Sequence, residues 1–322
     1  MNPETLWWYR RKKRESAVAP TITSAAPAAP AYGVAYSHTY TATGTAPITW
    51  SVTAGALPTG LSLNAGTGAI TGTPTASGAF TGTIRATNAA GYAEQASSVT
   101  VTYLSKLQSI AGANLVALYS LIGTDNPAAD LSNNGYHGVI SGATPAGGAA
   151  VPFPEGGNGM LFDGINDNVT VSAAAAFVVP NGFSVSMWIR GEWTSANMRV
   201  FASLDSGINN RVYVRKDSVS GFLAGQYYKN PINPFTSVTV GTSYDDTWTH
   251  VLFVVTSTHF YIYLNGVLKL SKEHGVSGMP AFNRVVLGMD PTTSTGYFSG
   301  SIAMCAFLNA DLSAFAVALA TP

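Results

Sequence analysis

The chain has 322 residues, which is enough for two or three domains that each bury a hydrophobic core. Only 10% of the residues are charged and the formal net charge is zero. This balance hides a basic tip: residues 1–15 carry five basic and two acidic side chains, and the remainder carries eleven basic and fourteen acidic ones. The weakly acidic body excludes nucleic-acid binding through bulk electrostatics, which requires a clustered basic face.

Residues 1–18 are predicted to form an N-terminal arm that binds a partner. Three aromatic and five basic side chains follow one another there: Trp7, Trp8, Tyr9, Arg10, Arg11, Lys12, Lys13 and Arg14. Such a segment can anchor in an acidic groove of a protein, stack on bases and neutralise phosphates, or stay a solvated terminus. We favour protein docking over nucleic acid, because five charges without a further basic surface contribute only modestly to phosphate binding.

The arm is not followed by a recognisable targeting segment. A secretory leader needs an apolar stretch of roughly 7–15 residues after its basic residues, and a membrane span needs about 18–20 apolar residues. The sequence from Glu15 to Pro20 is too polar and too broken by proline for a leader, and no window of the chain reaches the length of a span, so we expect no signal peptide and no membrane span. The single cysteine, Cys305, lies in an apolar run, which excludes an internal disulfide and predicts a buried thiol.

Residues 19–103 are predicted to form a small antiparallel β-sandwich. Three prolines near the start rule out a helix there, and Thr21–Thr23 is a candidate first strand. Beyond it, apolar and polar residues alternate in short runs separated by Gly, Pro and Asn, as in half-buried strands. In residues 32–103 the only charged side chains are Arg85 and Glu94, which indicates a spacer with little chemistry of its own.

A known family matches this pattern. The segments 57–64 (LPTGLSLN), 66–74 (GTGAITGTP) and 86–91 (ATNAAG) resemble the signature of the immunoglobulin-like modules of bacterial and phage proteins. The resemblance covers residues 20–103 and implies the sandwich fold, with glycines at the tight turns. It implies nothing about a ligand.

Residues 104–111 are predicted to be a linker, and residues 112–322 a second, larger all-β domain. Strand patterns run from Leu161 to Val286, and Asn265-Gly266 lies between two alternating runs. This dipeptide predicts a two-residue hairpin, because both residues accept positive φ. About 210 residues of strands with few helical periods favour one jelly-roll sandwich.

The second domain resembles the laminin-G-like, concanavalin-A-like jelly rolls. Five blocks carry the resemblance in the expected order: residues 130–138, 162–169, 183–188, 248–251 and 263–266. Where the family often has an acidic pair after Gly-x-Ile, this chain has Gly300-Ser301-Ile302-Ala303-Met304. We therefore expect any charged contact made at that place in the family to be lost.

The resemblance also implies a possible structural Ca²⁺ site. The candidate oxygen ligands are Asp163, Asn166 and Asp167, together with Asp130. The alternative is that these residues form Asx turns without a metal. The missing acidic pair favours the alternative, since about 6–8 oxygens must converge on a calcium ion.

The sequence also contains candidate residues for glycan binding, but none for catalysis. Aromatic and amide side chains in turn-like stretches are candidates for stacking on sugars, with protein contacts as the alternative: Trp193, Tyr227, Tyr228, Asn230 and Tyr244. Glycosidases of this architecture place carboxylates at i, i+2 on one strand, and the sequence has no such run. It also lacks a nucleophile elbow and a phosphate loop, so we predict no catalytic residues.

An arm, an immunoglobulin-like spacer and a jelly roll in this order resemble accessory structural proteins of tailed bacteriophages. The sequence therefore predicts a non-enzymatic protein on the virion surface, made in the host cytoplasm and displayed as a capsid decoration. We expect other capsid or virion proteins as partners, host surface glycans as a second class, and symmetric homo-oligomers as compatible with a lattice. The alternatives are a receptor-binding tail or fibre adhesin and a bacterial cell-surface carbohydrate-binding protein.

Overall fold

A computed structural model describes most of the chain outside the N-terminal arm. The described residues are 17–122, 128–146, 150–153, 158–177, 182–191, 199–204, 210–216, 223–229, 238–240, 247–273, 282–289 and 296–321. They divide into two compact units, the first comprising Met1–Ser109 with Phe153–Glu155 and the second Ile110–Pro152 with Gly156–Pro322.

The first unit is an immunoglobulin-like sandwich of short antiparallel strands. Its strands are β1 (Thr21–Ile22), β2 (Tyr36–Thr39), β3 (Ala42–Thr43), β4 (Thr49–Gly55), β5 (Leu61–Leu63), β6 (Ala69–Gly72), β7 (Gly78–Asn88) and β8 (Gly91–Val101). One sheet has the order β2-β6-β5 and the other β4-β7-β8, while β1 pairs with β3. The first strand is thus confirmed at Thr21–Ile22.

Alternation along the strands builds the core of this unit. Five side chains form its buried centre: Tyr40, Trp50, Ile70, Ile84 and Ala86. The two charged residues of the stretch lie on the surface and pair with each other, with 2.8 Å between the Arg85 guanidinium and the Glu94 carboxylate. The hydrogen bond from Arg85 holds the pKa of Glu94 below its usual range. The two charges of this stretch therefore neutralise each other at the surface.

The predicted linker is helical. Helix α1 (Tyr103–Ala111) leads into a 3₁₀ turn at Gly112–Asn114. Tyr103, Leu107 and Ala111 are buried, at a spacing of four residues that places them on one helix face. The sequence did not predict this helix, because a periodicity over only nine residues does not stand out from the surrounding strands.

The second unit is a jelly-roll sandwich of two antiparallel sheets joined in sequence by crossing connections. The seven-stranded sheet has the order β10-β13-β22-β15-β16-β17-β18. Its strands are β10 (Val139–Ser141), β13 (Asn168–Phe177), β15 (Arg199–Leu204), β16 (Asn210–Lys216), β17 (Leu223–Lys229), β18 (Val238–Val240) and β22 (Phe282–Leu287).

The eight-stranded sheet has the order β11-β12-β23-β14-β19-β20-β21, and β9 also pairs with β23. Its strands are β9 (Leu115–Tyr119), β11 (Thr144–Pro145), β12 (Met160–Asp163), β14 (Phe183–Arg190), β19 (Thr249–Val255), β20 (His259–Leu264), β21 (Val267–Glu273) and β23 (Ser299–Leu308). A 3₁₀ turn at Ser313–Phe315 and helix α2 (Ala316–Ala320) follow the last strand.

The inner faces of both sheets enclose one apolar core. Phe162, Val185, Phe253 and Val285 are among its members, and Cys305 is fully buried within it. The prediction of a buried thiol is confirmed, and burial raises the pKa of Cys305 far above its usual value. Among the residues that the structure describes, no helix is long and apolar enough to span a bilayer.

The Asn265-Gly266 turn forms as predicted. It joins β20 to β21, and both residues have positive φ, 47° for Asn265 and 77° for Gly266. The Asn265 side chain also accepts a hydrogen bond from the backbone N–H of His250, at 2.9 Å. The turn therefore fixes the register of the outer strands β20 and β21 and ties them to β19.

Candidate functional site

The outer face of the eight-stranded sheet carries a row of three aromatic side chains on β20. Phe260, Ile262 and Leu264 point into the core, so the alternating residues His259, Tyr261 and Tyr263 lie on the opposite face. All three are partly exposed. We call these three residues the aromatic row.

The rings of the aromatic row follow one another closely. The centroids of His259 and Tyr261 are 5.9 Å apart with planes 11° from parallel, and those of Tyr261 and Tyr263 are 6.5 Å apart. The hydroxyl of Thr258 lies 2.9 Å from Nδ1 of His259. The row therefore presents a continuous aromatic strip with polar atoms along it.

The C-terminal segment borders the row and holds one of its members. Burial raises the pKa of Tyr263, and a side-chain hydrogen bond with Ser313 opposes this shift. The turn at Gly266 lies against α2: a Cβ at Gly266 would be only 2.9 Å from Cα of Val317. The apolar surface continues past the row, with Leu268 exposed by 47% and Val317 by 70%.

The same outer face has a buried polar pair nearer the middle of the sheet. The hydroxyl of Ser186 lies 2.9 Å from Nε2 of His250, and Trp188 is adjacent to the imidazole with ring centroids 5.3 Å apart. Ser186 and His250 are completely buried, so a substrate has no access to them. The pair is therefore part of the packed interior of this domain.

The predicted ligand Asp130 organises a loop. Its Oδ1 accepts hydrogen bonds from the backbone N–H groups of Leu118 and Ser132, at 3.0 and 2.9 Å. Its Oδ2 accepts from the Ser132 hydroxyl at 2.8 Å and from the backbone N–H of Tyr136 at 3.0 Å. The side chain is 6% exposed, and these four bonds occupy the lone pairs that a metal would need.

The other predicted ligands share one turn between β12 and β13. Oδ1 of Asp163 accepts from the backbone N–H of Ile165 at 2.7 Å, and Oδ2 of Asp167 accepts from the backbone N–H of Asp163 at 2.8 Å. Oδ1 of Asp167 and Oδ1 of Asn166 both lie close to the backbone of Gly142. A Cβ added at Gly142 would be only 1.9 Å from the first oxygen and 3.4 Å from the second. Burial, with the neighbouring Asp163, raises the pKa of Asp167.

These two loops do not merge into one metal centre. Within the described ranges, no three side chains of the types His, Cys, Asp or Glu come together as metal ligands would. Asp163 makes the Asx turn that was the alternative to calcium. Calcium binding stays a prediction that would involve Asp163, Asn166 and Asp167 without Asp130.

The sequence-predicted glycan and anchor residues fall mainly outside the described residues. Trp7 to Arg14 lie outside them, as do Trp193, Asn230 and Tyr244. Tyr227 and Tyr228 are consecutive residues of β17, paired in register with Val212 and Arg211 of β16. Sequence reasoning missed the aromatic row, although the i, i+2, i+4 spacing of its members along a strand was a readable signal.

Two family models match the chain. Residues 163–318 match the model described as "Concanavalin A-like lectin/glucanases superfamily", and residues 17–104 match the one described as "Putative Ig domain". The chain therefore has an immunoglobulin-like module followed by a laminin-G-like, concanavalin-A-like domain. The search of the curated proteins gave no match.

Solved structures resemble the fold at low identity. Domain 4 of AbnA, an extracellular arabinanase from Geobacillus stearothermophilus, in complex with arabinotriose, is 22% identical with a TM-score of 0.49, covering 64% of this chain and 98% of that one. The binding domain of botulinum neurotoxin DC in complex with rat synaptotagmin II is 14% identical with a TM-score of 0.48, covering 64% and 51%. Trypanosoma rangeli sialidase in complex with the inhibitor DANA is 12% identical with a TM-score of 0.49, covering 76% and 42%. The chain thus spans about half the length of the last two.

Proposed function

We propose that this chain, which has an immunoglobulin-like module and a concanavalin-A-like domain, is a non-catalytic protein that binds carbohydrate through the aromatic row of β20. The observation that carries the proposal is the row itself: three partly exposed rings at 5.9 and 6.5 Å spacing on a rigid strand. Rigid aromatic side chains with a polar edge supply contact area at a low cost in conformational entropy.

The chemistry of a sugar fits such a surface. A pyranose ring has an apolar face of C–H groups and a rim of hydroxyls, so it stacks on an aromatic ring while its rim bonds to polar atoms nearby. The phenols of Tyr261 and Tyr263 and the exposed Ser271, which pairs in register with Tyr261, supply such atoms. The matched family model joins lectins with glucanases, which also favours a carbohydrate ligand.

The described carboxylates favour binding over hydrolysis. A retaining glycosidase needs two carboxyl groups about 5–5.5 Å apart on either side of a cleft. Asp163 and Asp167 are neighbours, but Asp167 is 5% exposed and both accept backbone hydrogen bonds within their own turn. Asp130 is occupied by four hydrogen bonds. We therefore infer a binding role for the domain.

A glycan array with the full chain, followed by calorimetry on the best ligand, tests the proposal. We expect Tyr261→Ala and Tyr263→Ala each to weaken binding about tenfold, which corresponds to about 1.4 kcal/mol for a lost stacking contact. Tyr92→Ala is the matched control, because Tyr92 is 59% exposed on the first unit and remote in sequence from the row. Absence of any glycan ligand, or equal loss in all three variants, would contradict the proposal.

We further propose that the protein is displayed on the surface of a phage virion as a capsid decoration, with Trp7 to Arg14 as its anchor. The support is the aromatic and basic sequence of the arm beside two modules with little charge. The alternative is a receptor-binding tail or fibre adhesin. Deletion of residues 1–16 should abolish incorporation into particles and leave both modules folded, and incorporation at the normal level would refute the anchor.

A further inference from the structure

The C-terminal segment, residues 310–320, lies across the outer face of the eight-stranded sheet beside the aromatic row. It begins above β14, where the buried hydroxyl of Ser184 bonds the backbone of Ala310 and Leu312. Ser184 pairs in register with Val254 of β19, and Val254 pairs with Tyr261 of the row. Val254 alternates with core residues along β19 and is nevertheless completely buried, and helix α2 packs on the same strand. The segment therefore covers the sheet up to the border of the row.

The same segment closes the row at its Tyr263 end. The side chain of Ser313 hydrogen-bonds that of Tyr263. Beyond Tyr263, the hairpin turn lies against α2: a Cβ at Gly266 would be 2.9 Å from Cα of Val317 and 3.4 Å from Cβ of Ala320. A long ligand that lies along the row therefore meets α2 as soon as it extends past Tyr263.

The His259 end of the row and its β21 side are open. The turn before β20 exposes Ser257 and Thr258 to solvent. On β21, Ser271 and Glu273 pair in register with members of the row and are also exposed. Within the described ranges, a ligand can therefore enter or leave the row past His259 but not at the opposite end.

A carboxylate lies at the closed end of the row. Oδ1 of the exposed Asp311 accepts a hydrogen bond from the backbone N–H of Ser313 at 2.9 Å, so Asp311 is next to the residue that holds Tyr263. Burial raises the pKa of the Tyr263 phenol, and the negative charge of Asp311 raises it further. A carboxylate accepts short, charge-assisted hydrogen bonds from hydroxyl groups and repels a second carboxylate. The closed end therefore suits a neutral sugar and disfavours an acidic one.

We infer, on the basis of the proposed carbohydrate binding, that the aromatic row binds the end of a neutral glycan chain. The terminal sugar stacks on Tyr263 with its hydroxyls towards Asp311, and the next sugars lie on Tyr261 and His259. Glycans attached to a protein or a lipid are linked through their reducing end, so the recognised end is the non-reducing one. A row with two open ends would take any stretch of a chain, whereas here only a chain that stops at Tyr263 covers all three rings.

Two end-modified ligands test this inference. The probes are gluco-, manno- and galacto-hexasaccharides, and the best binder to the full chain is modified at its non-reducing sugar. Oxidation of the primary hydroxyl introduces a carboxylate, and a tert-butyl ether on the hydroxyl through which the chain would continue adds a neutral block. We expect each change to weaken binding about tenfold in calorimetry, because the chain must shift by one ring and lose its contact with Tyr263. The same groups on the reducing sugar should leave the affinity unchanged.

A matched pair of carboxylate variants separates charge from shape. Asp311→Asn keeps an oxygen for the N–H of Ser313 and removes the charge, so it should bind the oxidised ligand as well as the unmodified one and still reject the ether. Glu273→Gln removes the same charge at the open end, about 13 Å away along the strand and beyond the screening length of roughly 8 Å at physiological salt. It should reject both modified ligands as the parent does.

Equal binding of the modified and unmodified ligands would overturn the inference and leave the proposed function intact, because the glycan would then lie along the row without ending at Tyr263. Continued rejection of the oxidised ligand by Asp311→Asn would overturn the role of this carboxylate. Absence of any bound oligosaccharide would contradict the proposed function itself, and the inference with it.

Discussion

Replacement of Asp130 tests whether this carboxylate holds the early loop of the second domain. Asp130→Ala removes the acceptor of four hydrogen bonds, three of them from backbone N–H groups. The donor on Leu118 is buried, so leaving it unpaired costs about 1–3 kcal/mol, and the other three donors regain water at a net cost of roughly 0.5–1 kcal/mol each. We expect a total loss of about 3–5 kcal/mol in the free energy of unfolding.

The conservative variant gives an internal scale. Asp130→Asn keeps one acceptor oxygen and places an amide N–H₂ group where Oδ2 accepts from Ser132 and Tyr136. The loss in the free energy of unfolding should therefore be about 1–3 kcal/mol for this variant. Urea unfolding of the full chain, followed by near-ultraviolet signals of the second domain, measures both values. Asp311→Ala, at an exposed residue with one backbone hydrogen bond, is the control. An Asp130→Ala variant within 0.5 kcal/mol of the parent would refute the reasoning.

Three further predictions concern charge. The raised pKa of Asp167 means that the ionised carboxylate disfavours folding. The stability of the protein should therefore fall as the pH rises from 3.8, the usual pKa of this group, through the raised pKa. Asp167→Asn should remove this pH dependence of the melting temperature. Burial lowers the pKa of Lys106 to about 8. Between pH 8 and 10.5 the folded state has lost the proton and the unfolded state still holds it, so stability should rise with pH. Thermal scans of Lys106→Met should not show this rise. If calcium binds at Asp163, Asn166 and Asp167, added Ca²⁺ should raise the melting temperature of the parent and not of Asp163→Asn, and identical melting with calcium and with chelator would refute calcium binding.

The sequence predicted the features that depend on local pattern. Alternation predicted both sandwiches, the Asn265-Gly266 dipeptide predicted its hairpin, and the apolar run around Cys305 predicted a buried thiol. Each of these depends on the backbone preference of a few neighbouring residues or on a period of two. Helix α1 was missed because nine residues give only three buried positions, which is too few to stand out from flanking strands.

The candidate site was harder to predict, because its chemistry depends on partners distant in sequence. Asp130 offers oxygens that suit a metal or an N–H group, and only the fold brings the N–H of Leu118 to it, twelve residues away. The alternation along β20 indicates that the strand has an inner and an outer face. It does not indicate which residues of the outer face the C-terminal segment covers. Tyr263 contacts Ser313, fifty residues away in sequence, whereas the ring of Tyr261 stacks on that of His259, only two residues away.

Ser184 links the C-terminal segment to the sheet that displays the row. Its hydroxyl donates to the carbonyl of Ala310 at 2.6 Å and accepts from the backbone N–H of Leu312 at 3.1 Å, and it is completely buried. Ser184→Ala leaves both backbone groups unpaired, and we expect a loss of about 1–3 kcal/mol in unfolding free energy.

The same variant distinguishes the contribution of Tyr263 to glycan binding from that of Tyr261. Because Ser313 at the end of this segment hydrogen-bonds the Tyr263 side chain, Ser184→Ala should weaken glycan binding by a few-fold through Tyr263, and the contribution of Tyr261 to binding should not change. Ser186→Ala is the control, since the Ser186 hydroxyl contacts His250 and not the C-terminal segment. Calorimetry of both variants measures the effect. Unchanged affinity in Ser184→Ala together with the expected loss of stability would mean that the row is held by β20 alone, because a rigid strand would then position Tyr263 without help from Ser313.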